Sequence, residues 1–297
     1  EDLYQEWYTV QQETTSTGNC QNISSRWKVW VLPRIGRKRI TSLTEQDLQG
    51  IVNQAYAAGR SKKTLQSLCA DLRAFCKYCR ACKVSTFNPE GLRVPAGARY
   101  KGKKVLQPGD LLKLLNTDTT LWRGKVVRDE YINAYRFQVL TGLRPGELIG
   151  LRWADVHGCT VEIRRAVNVH GEETQGKNQN AVRSFILSDM ARRVLEEQRS
   201  ITGGQESVFC IHREKTYYAR WKAYCAANGL TPCTLYELRH TFVSVVKTLP
   251  AGEVKQLVGH SQDMDTFGIY GHALTGDDET TAQAVNGVFL RVLKNAQ

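Results

Sequence analysis

The sequence contains no apolar run long enough to cross a lipid bilayer, no internal repeat and no low-complexity tract. Its first residues, EDLYQEWYTV, lack the basic start and the apolar stretch of a secretory signal peptide. These absences argue against a membrane or secreted protein and favour a cytoplasmic one. An initiator methionine is also missing, so we expect the sequence to be a fragment of a longer protein.

The nine cysteines show no pairing pattern, and their number is odd. Without a secretory signal we expect reduced thiols and no disulfide framework. Cys76, Cys79 and Cys82 have the C-x-x-C-x-x-C spacing of a metal or cluster site, but no matching second pair follows nearby. Cys76 and Cys79 also continue the apolar spacing of a helix. We therefore interpret them as core residues and expect neither a metal nor another cofactor.

Acidic residues are scarce in the first third of the chain. Residues 1–104 contain 18 Lys and Arg but only 8 Asp and Glu, so they hold +10 of the total net charge of +12. The rest of the chain is nearly balanced, with 23 basic and 21 acidic side chains. This asymmetry favours a polyanionic partner, most often nucleic acid, although a solvated surface with a chance excess would look the same.

Length and hydrophobic periodicity predict two domains of a mainly α-helical α+β protein. The first, residues 1–95, is a basic helical domain with amphipathic helices at 44–58 and 61–82 and a weaker pattern at 23–32. The stretch RVPAGARYKGKKVLQPGD, 93–110, contains Pro, Gly and a cationic cluster without periodicity, which indicates a linker, placed at residues 96–104.

The second predicted domain covers residues 105–297. The segments CTVEIRRAVNVHG and AVRSFILS alternate strongly, so they predict a small antiparallel sheet, with the polar loop EETQGKNQN between them. Helices are expected in PGDLLKLLN, in DEYINAYRFQVLTG and at about 188–200, 214–228, 234–248, 251–258 and 280–294.

The stretch TGLRPGELIGLRW, 141–153, combines a helix end with a charged pair. One helix is predicted to end at Gly142, and Pro145 suits the first turn of the next. Arg144 lies in the break, where its side chain and the helix N-terminus would both face an anion. Glu147 is placed to hold the guanidinium, although an ordinary surface pair of Arg and Glu would give the same pattern.

Two further stretches carry residues that can act on an anion. CTLYELRHTFVSVV, 233–246, places Tyr236, Arg239 and His240 on one helix with a buried apolar face. An arginine beside such a face needs an anionic partner, either a structural carboxylate or a ligand. HSQDMDTFGIYGHA, 260–273, brackets Tyr270 between His260 and a second histidine.

In this order and spacing, TGLRPGELIGLRW, LYELRHTF and LVGHS followed by a tyrosine resemble the motifs of the tyrosine recombinases, the phage-type integrases. Lys177 in GKNQNAVRSFIL, followed by Arg183 at the start of a strand, is similar to the family's lysine-bearing turn. The spacing of His260 and Tyr270 is most similar to integrases of conjugative transposons. The resemblance covers about residues 105–275, and the upstream basic domain resembles the family's core-binding domain.

The resemblance implies a role for each matching residue. Tyr270 would attack a DNA phosphodiester, form a 3′-phosphotyrosyl link and release a 5′-hydroxyl. Arg144 and Arg239 would bind the non-bridging oxygens, and His260 would donate another hydrogen bond to the phosphate. Lys177 would protonate the leaving oxygen. Two guanidinium groups can neutralise the phosphate without a metal, so we expect metal-independent chemistry.

The remaining motif residues are expected to support the site. Glu147 would orient the neighbouring arginine, and His240 would be a supporting neighbour. Tyr236 departs from the family pattern, because histidine is usual two residues before the leucine-arginine pair. A tyrosine can donate a hydrogen bond but is a poor proton acceptor at neutral pH. The proton acceptor is therefore left open among water, His260 and the phosphate.

The expected partners are double-stranded DNA recombination sites and further copies of the chain, as dimers to tetramers on DNA in the bacterial cytoplasm and nucleoid, with no membrane. Candidates for phosphate contacts are Arg37, Lys38, Arg39, Lys62, Lys63, Lys101, Lys103 and Lys104. These basic residues would be equally expected on a surface that only faces solvent and binds no DNA. The apolar face of the tail, Thr280 to Lys294, is expected to dock on a neighbouring subunit; docking on its own core is the alternative.

Two other functions share these features. A type IB topoisomerase uses similar phosphotyrosine chemistry without strand exchange, so Holliday-junction formation would discriminate it. A non-catalytic DNA-binding relative would keep the fold, and a trapped covalent DNA adduct would exclude it.

Overall fold

The computed structural model describes residues 1–100, 102–168, 170–174, 182–259 and 277–296. The chain divides into two compact units, Glu1–Gly102 and Lys103–Gln297. Helices dominate both units, and the sheets are small and antiparallel, which confirms the predicted fold class. The domain limits predicted from the sequence, 1–95 and 105–297 with a linker at 96–104, stay predictions.

Helices are the regular secondary structure of the described residues of the first unit, and irregular chain follows the last of them. They are α1 (Asp2–Thr14), α2 (Thr17–Arg26), which continues through a π-helical turn (Trp27–Val31) into α3 (Leu32–Ile35), a 3₁₀ turn (Ile40–Ser42), α4 (Glu45–Ala57) and α5 (Lys62–Ala81). The helices predicted at 44–58 and 61–82 are confirmed as α4 and α5. Ser61 caps α5 by accepting a hydrogen bond from the backbone N–H of Thr64.

An aromatic cluster forms the core of this unit. The Trp27 ring lies 4.5 Å from Tyr4, 5.2 Å from Trp7 and 4.9 Å from Phe75, measured between ring centroids. Helix α1 supplies two of these rings, and its spacing of Tyr4 and Trp7 is the helical signal that the sequence analysis missed.

Cys76 and Cys79 lie in the same core, as interpreted from the sequence, whereas Cys82 is exposed. Burial raises the pKa of each of the two buried thiols to about 11. A thiol binds metal as the thiolate, so these two cysteines behave as small hydrophobic residues.

The second unit contains eight helices and seven short strands in its described part. The helices are α6 (Pro108–Asn116), α7 (Ile132–Thr141), α8 (Pro145–Ile149), α9 (Asp189–Thr202), α10 (Glu214–Ala227), α11 (Leu235–Val245), α12 (Ala251–Val258) and α13 (Asp277–Lys294). The strands are β1 (Thr119–Trp122), β2 (Lys125–Arg128), β3 (Val156–His157), β4 (Thr160–Ile163), β5 (Ala166–Val167), β6 (Glu173–Thr174) and β7 (Arg183–Ile186).

The predicted sheet is confirmed as three antiparallel strands in the order β3-β4-β7. Thr160 pairs with Ile186, and Ile163 pairs with Arg183, so Arg183 begins the edge strand. Strands β5 and β6 form a separate ribbon. The hairpin β1-β2 was not predicted. Its two-residue turn, Arg123-Gly124, has positive φ at both positions, the geometry that suits a tight hairpin.

Helix α7 is buried along its whole length, and α9 and α11 pack against it. The helix ends at Gly142, where φ is +68°. A Cβ at this position would lie 2.5 Å from the Phe242 ring, so only glycine permits both the turn and the close approach of α11. The turn directs the chain into Arg144.

In this single chain the C-terminal helix docks on its own unit. Val285 and Phe289 are buried, and Phe289 packs 6.2 Å from the Phe242 ring. The backbone N–H of Met190 donates to Asn286, and the Thr281 hydroxyl donates to Glu253. The isolated chain therefore shows the alternative, docking on its own core, and docking on a neighbouring subunit stays a prediction.

Within the described ranges, no helix is both long and apolar enough to cross a membrane.

Candidate active site

Arg144 stands at the N-terminus of α8 and is held by Glu147. The Arg144 Nη1 donates to Glu147 Oε1 at 2.6 Å, and its backbone N–H donates to Glu147 Oε2 at 2.9 Å. Glu147 is buried, whereas the Arg144 side chain keeps 31% of its surface exposed. The buried Glu147 carboxylate therefore holds the partly exposed side chain of Arg144.

Arg239 is the most deeply buried cation of the site, with 2% of its surface exposed. Its Nη1 donates to the Gly142 carbonyl at 2.9 Å, and its Nη2 donates to the Val258 carbonyl at 2.6 Å. Among the described residues it has no carboxylate within ion-pair distance. The two carbonyls orient the guanidinium without cancelling its charge.

A third guanidinium belongs to the same cluster. Arg183 on β7 donates from Nη1 and Nη2 to the two oxygens of Glu147, at 3.2 and 3.0 Å. Its Nε donates to the Leu257 carbonyl at 2.9 Å. The sequence analysis assigned it no role, although its place six residues after Lys177, at the start of a strand, was a usable signal.

The three arginines meet the end of α12 at three consecutive carbonyls. Arg183 binds Leu257, Arg239 binds Val258, and Arg144 binds Gly259 at 3.3 Å. The C-terminal carbonyls of a helix carry partial negative charge, so cations are favoured there. The arrangement fixes where the chain leaves α12.

Positive charge exceeds negative charge in the part of this cluster that the structure describes. Burial raises the pKa of Glu147, but hydrogen bonds and charge from Arg183 and Arg144 outweigh it, so the net shift is downward. Burial and the charge of Arg144 lower the pKa of Arg239 to about 10, which still leaves it cationic at neutral pH. Among the described residues, Glu147 is the one carboxylate that pairs with any of the three guanidinium groups, and this excess of positive charge favours an anion.

Tyr236 and His240 lie one turn apart on α11, beside Arg239. Their rings meet edge to face, with centroids 5.4 Å apart, and Tyr236 keeps 41% of its surface exposed. Burial and the charge of Lys103 lower the pKa of His240, which favours its neutral form. Its buried Nε2 has no hydrogen-bond partner among the described residues.

The structure thus brings Arg144, Glu147, Arg239, Tyr236 and His240 together, as the sequence predicted. Three predicted site residues lie outside the described residues: Lys177, His260 and Tyr270. The same is true of Lys101, a candidate for a phosphate contact. Within the described ranges, no group of three or more His, Cys, Asp or Glu side chains is arranged to hold a metal ion.

The other candidates for phosphate contacts are all exposed: Arg37, Lys38, Arg39, Lys62, Lys63, Lys103 and Lys104. Lys38 forms an ion pair with Asp47, with Nζ and Oδ2 2.6 Å apart. The backbone N–H of Lys104 donates to Glu237, which also caps α11 through Thr234. Exposure makes all seven accessible to DNA, although it would be equally expected of a solvated face.

The model of the phage integrase family matches residues 104–276, and the chain belongs to this family. It is 23% identical over 295 residues to a protein named tyrosine recombinase XerC-like from Caldanaerobacter subterraneus subsp. tengcongensis, covering 85% of this chain and 73% of that protein. The prediction of a tyrosine recombinase from the motifs is therefore confirmed.

Two solved structures share the fold. The Tn1549 transposon integrase in complex with circular intermediate DNA is similar with a TM-score of 0.74 and 16% identity, over 93% of this chain and 97% of that one. A lambda integrase dimer bound to a COC′ core site is similar with a TM-score of 0.69 and 16% identity, over 92% and 97%. At this identity the likeness concerns the fold.

Proposed function

We propose that the chain cleaves and rejoins duplex DNA through a 3′-phosphotyrosyl intermediate, in the integration and excision of a mobile element. The observation that carries the proposal is the cluster of three guanidinium groups among the described residues: Arg144 and Arg183 share the carboxylate of Glu147, and Arg239 beside them binds only carbonyl oxygens. The Tn1549 transposon integrase, which has the same fold, is in complex with DNA, and the lambda integrase is bound to a core site, which supports the choice of a phosphodiester as the anion.

Arg144 and Arg239 bind the non-bridging oxygens of the scissile phosphate in this mechanism. The reaction develops charge on these oxygens while the attacking and leaving oxygens stand in line. Planar guanidinium groups that are already oriented by Glu147, Gly142 and Val258 stabilise that charge without reorganising during the step. His260 adds a further hydrogen bond.

Tyr270 is the proposed nucleophile. Its hydroxyl oxygen attacks phosphorus and gives its proton to water, His260 or the phosphate, while the bond to the 5′ oxygen breaks and Lys177 gives that oxygen a proton. A tyrosine hydroxyl ordinarily titrates near pH 10, so the step needs this proton acceptor or nearby positive charge. Because the phosphoester is conserved in the intermediate, a 5′-hydroxyl from either duplex can reverse the step without ATP.

A nicked suicide duplex tests the nucleophile. A pool of such duplexes with random sequence is incubated with the protein in buffer containing EDTA, and DNA that stays attached in denaturant is recovered. The nick lets the short 5′-hydroxyl strand diffuse away, so the adduct accumulates. We expect an adduct from the wild type, and none from Tyr270→Phe, which should keep DNA binding because only the attacking oxygen is lost.

An adduct from Tyr270→Phe would place the nucleophile elsewhere. Tyr217 and Tyr224 are buried in the core, which leaves the half-buried Tyr218 as the next candidate in this group. A wild-type adduct that required added Mg²⁺ would contradict the arginine clamp. The absence of any wild-type adduct would favour a non-catalytic DNA-binding relative.

The general acid is tested by changing the leaving group. Lys177→Ala should slow cleavage of ordinary DNA by about 10²- to 10⁴-fold, the usual contribution of a positioned acid. On a substrate with a 5′-bridging phosphorothioate the loss should nearly vanish, because a thiolate leaves without a proton. Equal slowing on both substrates would remove Lys177 from this role.

Recombination also requires assembly. We propose that two to four copies act together on paired DNA sites in the bacterial cytoplasm, with the nucleoid as the place of action, and that α13 can leave its own core to dock on a neighbour. The DNA-bound dimer of the lambda integrase supports assembly. Holliday junctions formed from paired sites would separate this function from that of a type IB topoisomerase, which makes none.

A further inference from the structure

Arg183 joins three elements of the catalytic unit. It begins β7, its two Nη atoms bind both oxygens of Glu147 on α8, and its Nε binds the Leu257 carbonyl at the end of α12. The side chain keeps only 8% of its surface exposed. A buried, planar guanidinium group that donates hydrogen bonds from all three nitrogens fixes the relative positions of the groups that it binds.

Glu147, held in position by Arg183, in turn holds Arg144. Each carboxylate oxygen of Glu147 accepts one hydrogen bond from Arg183 and one from Arg144. The carboxylate is therefore held from both sides, and its orientation sets that of the Arg144 guanidinium. Without Arg183, both oxygens would be available to Arg144 alone, and the guanidinium would turn toward them.

The chain connects Arg183 to two further site residues. Lys177 precedes it by six residues, and His260 follows Leu257 by three. One side chain thus ties the strand that follows the lysine, the helix that begins after Arg144 and the helix that precedes the histidine.

We propose that Arg183 is a positioning residue for DNA cleavage, acting on Arg144 through Glu147. The proposal rests on the proposed function and deepens it, because it states what keeps the phosphate clamp aligned. Arg183 itself touches no reacting atom. A misplacement of about 1 Å in such a site lowers the rate by about 10²-fold.

The experiment compares Arg183→Gln with a matched control, Arg136→Gln. Arg136 on α7 is equally buried, with 8% of its side chain exposed, and it also binds one backbone carbonyl and one carboxylate, those of Leu114 and Asp118. Single-turnover cleavage of the trapped DNA substrate is measured with saturating protein, and the DNA dissociation constant and thermal stability are measured separately.

We expect Arg183→Gln to slow cleavage by about 10- to 100-fold with a change in DNA affinity below about threefold, the signature of lost transition-state alignment. Arg183→Lys should recover part of the rate, because it keeps a charge beside Glu147 without the planar fork. Arg136→Gln should lower stability but leave the cleavage rate of the folded protein within about threefold of the wild type.

A double-mutant cycle tests the route through Glu147. Both changes disrupt the same alignment. The double variant, Glu147→Gln together with Arg183→Gln, should therefore cleave DNA within about threefold of the rate of Glu147→Gln alone. This proposal would be overturned if the double variant lost the product of the two single rate losses, or if Arg183→Gln and Arg136→Gln slowed cleavage equally. Either result would leave the proposed function standing. A wild-type protein that cleaves no DNA would instead overturn the proposed function, and this proposal with it.

Discussion

Half-buried Arg26 of the helical unit and buried Arg239 of the catalytic unit differ in what balances their charge. In the helical unit, Arg26 makes a two-pronged ion pair with Asp71, at 2.6 and 3.1 Å. In the catalytic unit, Arg239 is buried more deeply and meets only carbonyl oxygens among the described residues. A folded structure can use a balanced pair for its own stability, whereas an unbalanced buried cation is retained at some cost and indicates a ligand.

The carboxylates show the same contrast. Burial raises the pKa of Asp71 despite the hydrogen bond and charge of Arg26. Burial acts in the same direction on Glu147, but there two guanidinium groups and a backbone N–H reverse the shift. Among the described residues, the arginines around Glu147 therefore carry more positive charge than this carboxylate balances, and a phosphodiester is a suitable anion to balance the rest.

The largest expected effect comes from removing each of these two arginines in turn. Arg239→Gln should slow cleavage by about 10²- to 10³-fold, the scale of one lost transition-state interaction, with stability unchanged or increased. Arg26→Gln should instead lower the free energy of unfolding by about 1–3 kcal/mol, because Asp71 loses its partner.

Cleavage kinetics and urea unfolding of both variants check this contrast. The cleavage rate of folded Arg26→Gln should match that of the wild type. If Arg239→Gln were strongly destabilised and cleaved DNA normally, its carbonyl contacts would be structural, and the distinction between the two arginines would fail.

A smaller effect is expected at Tyr236, where the chain departs from the family pattern. We propose that the hydroxyl of Tyr236, an exposed residue three positions before Arg239 in the sequence, donates a hydrogen bond to the phosphate or to Tyr270, so Tyr236→Phe should slow cleavage by about 10- to 100-fold. Tyr236→His should retain activity and add a titration at about pH 6–7 to the rate profile.

Wild-type cleavage by Tyr236→Phe would mean that the ring is present for packing against His240. A Tyr236→His variant that is inactive while the Phe variant is active would indicate an apolar pocket. The placement of Tyr236 beside the phosphate would then be wrong.

Local signals predicted much of this architecture. Helical spacing located α4 and α5, and the Pro and Gly positions around Arg144 predicted the break between α7 and α8. The motif order predicted that Arg144, Glu147 and Arg239 share a site. These features depend on neighbouring residues in the sequence or on a known motif, so they can be read without the fold.

Features that depend on tertiary contacts were harder to predict. The role of Arg183 arises because β7, α8 and α12 converge, and no sequence spacing expresses that convergence. The docking of α13 on its own unit was not chosen over docking on a neighbour, because an apolar helical face looks the same in both cases. Phe289 fits against Phe242 only in the folded unit.

The smallest expected effect is on stability against pH, where the two carboxylates should act with opposite signs. Folded Asp71 has a raised pKa, so between pH 3.8 and that raised value the folded state binds more protons, and stability falls as pH rises. Folded Glu147 has a lowered pKa, so its contribution is complete above pH 4.5 and is lost as pH falls through the lowered value. Urea unfolding of the wild type, Asp71→Asn and Glu147→Gln between about pH 3 and 6 measures both slopes. The advantage of the wild type over Glu147→Gln should shrink on acidification, and its advantage over Asp71→Asn should grow. Parallel slopes for the two comparisons would show that the carboxylates share one electrostatic environment, and the contrast between a balanced and an unbalanced unit would not hold.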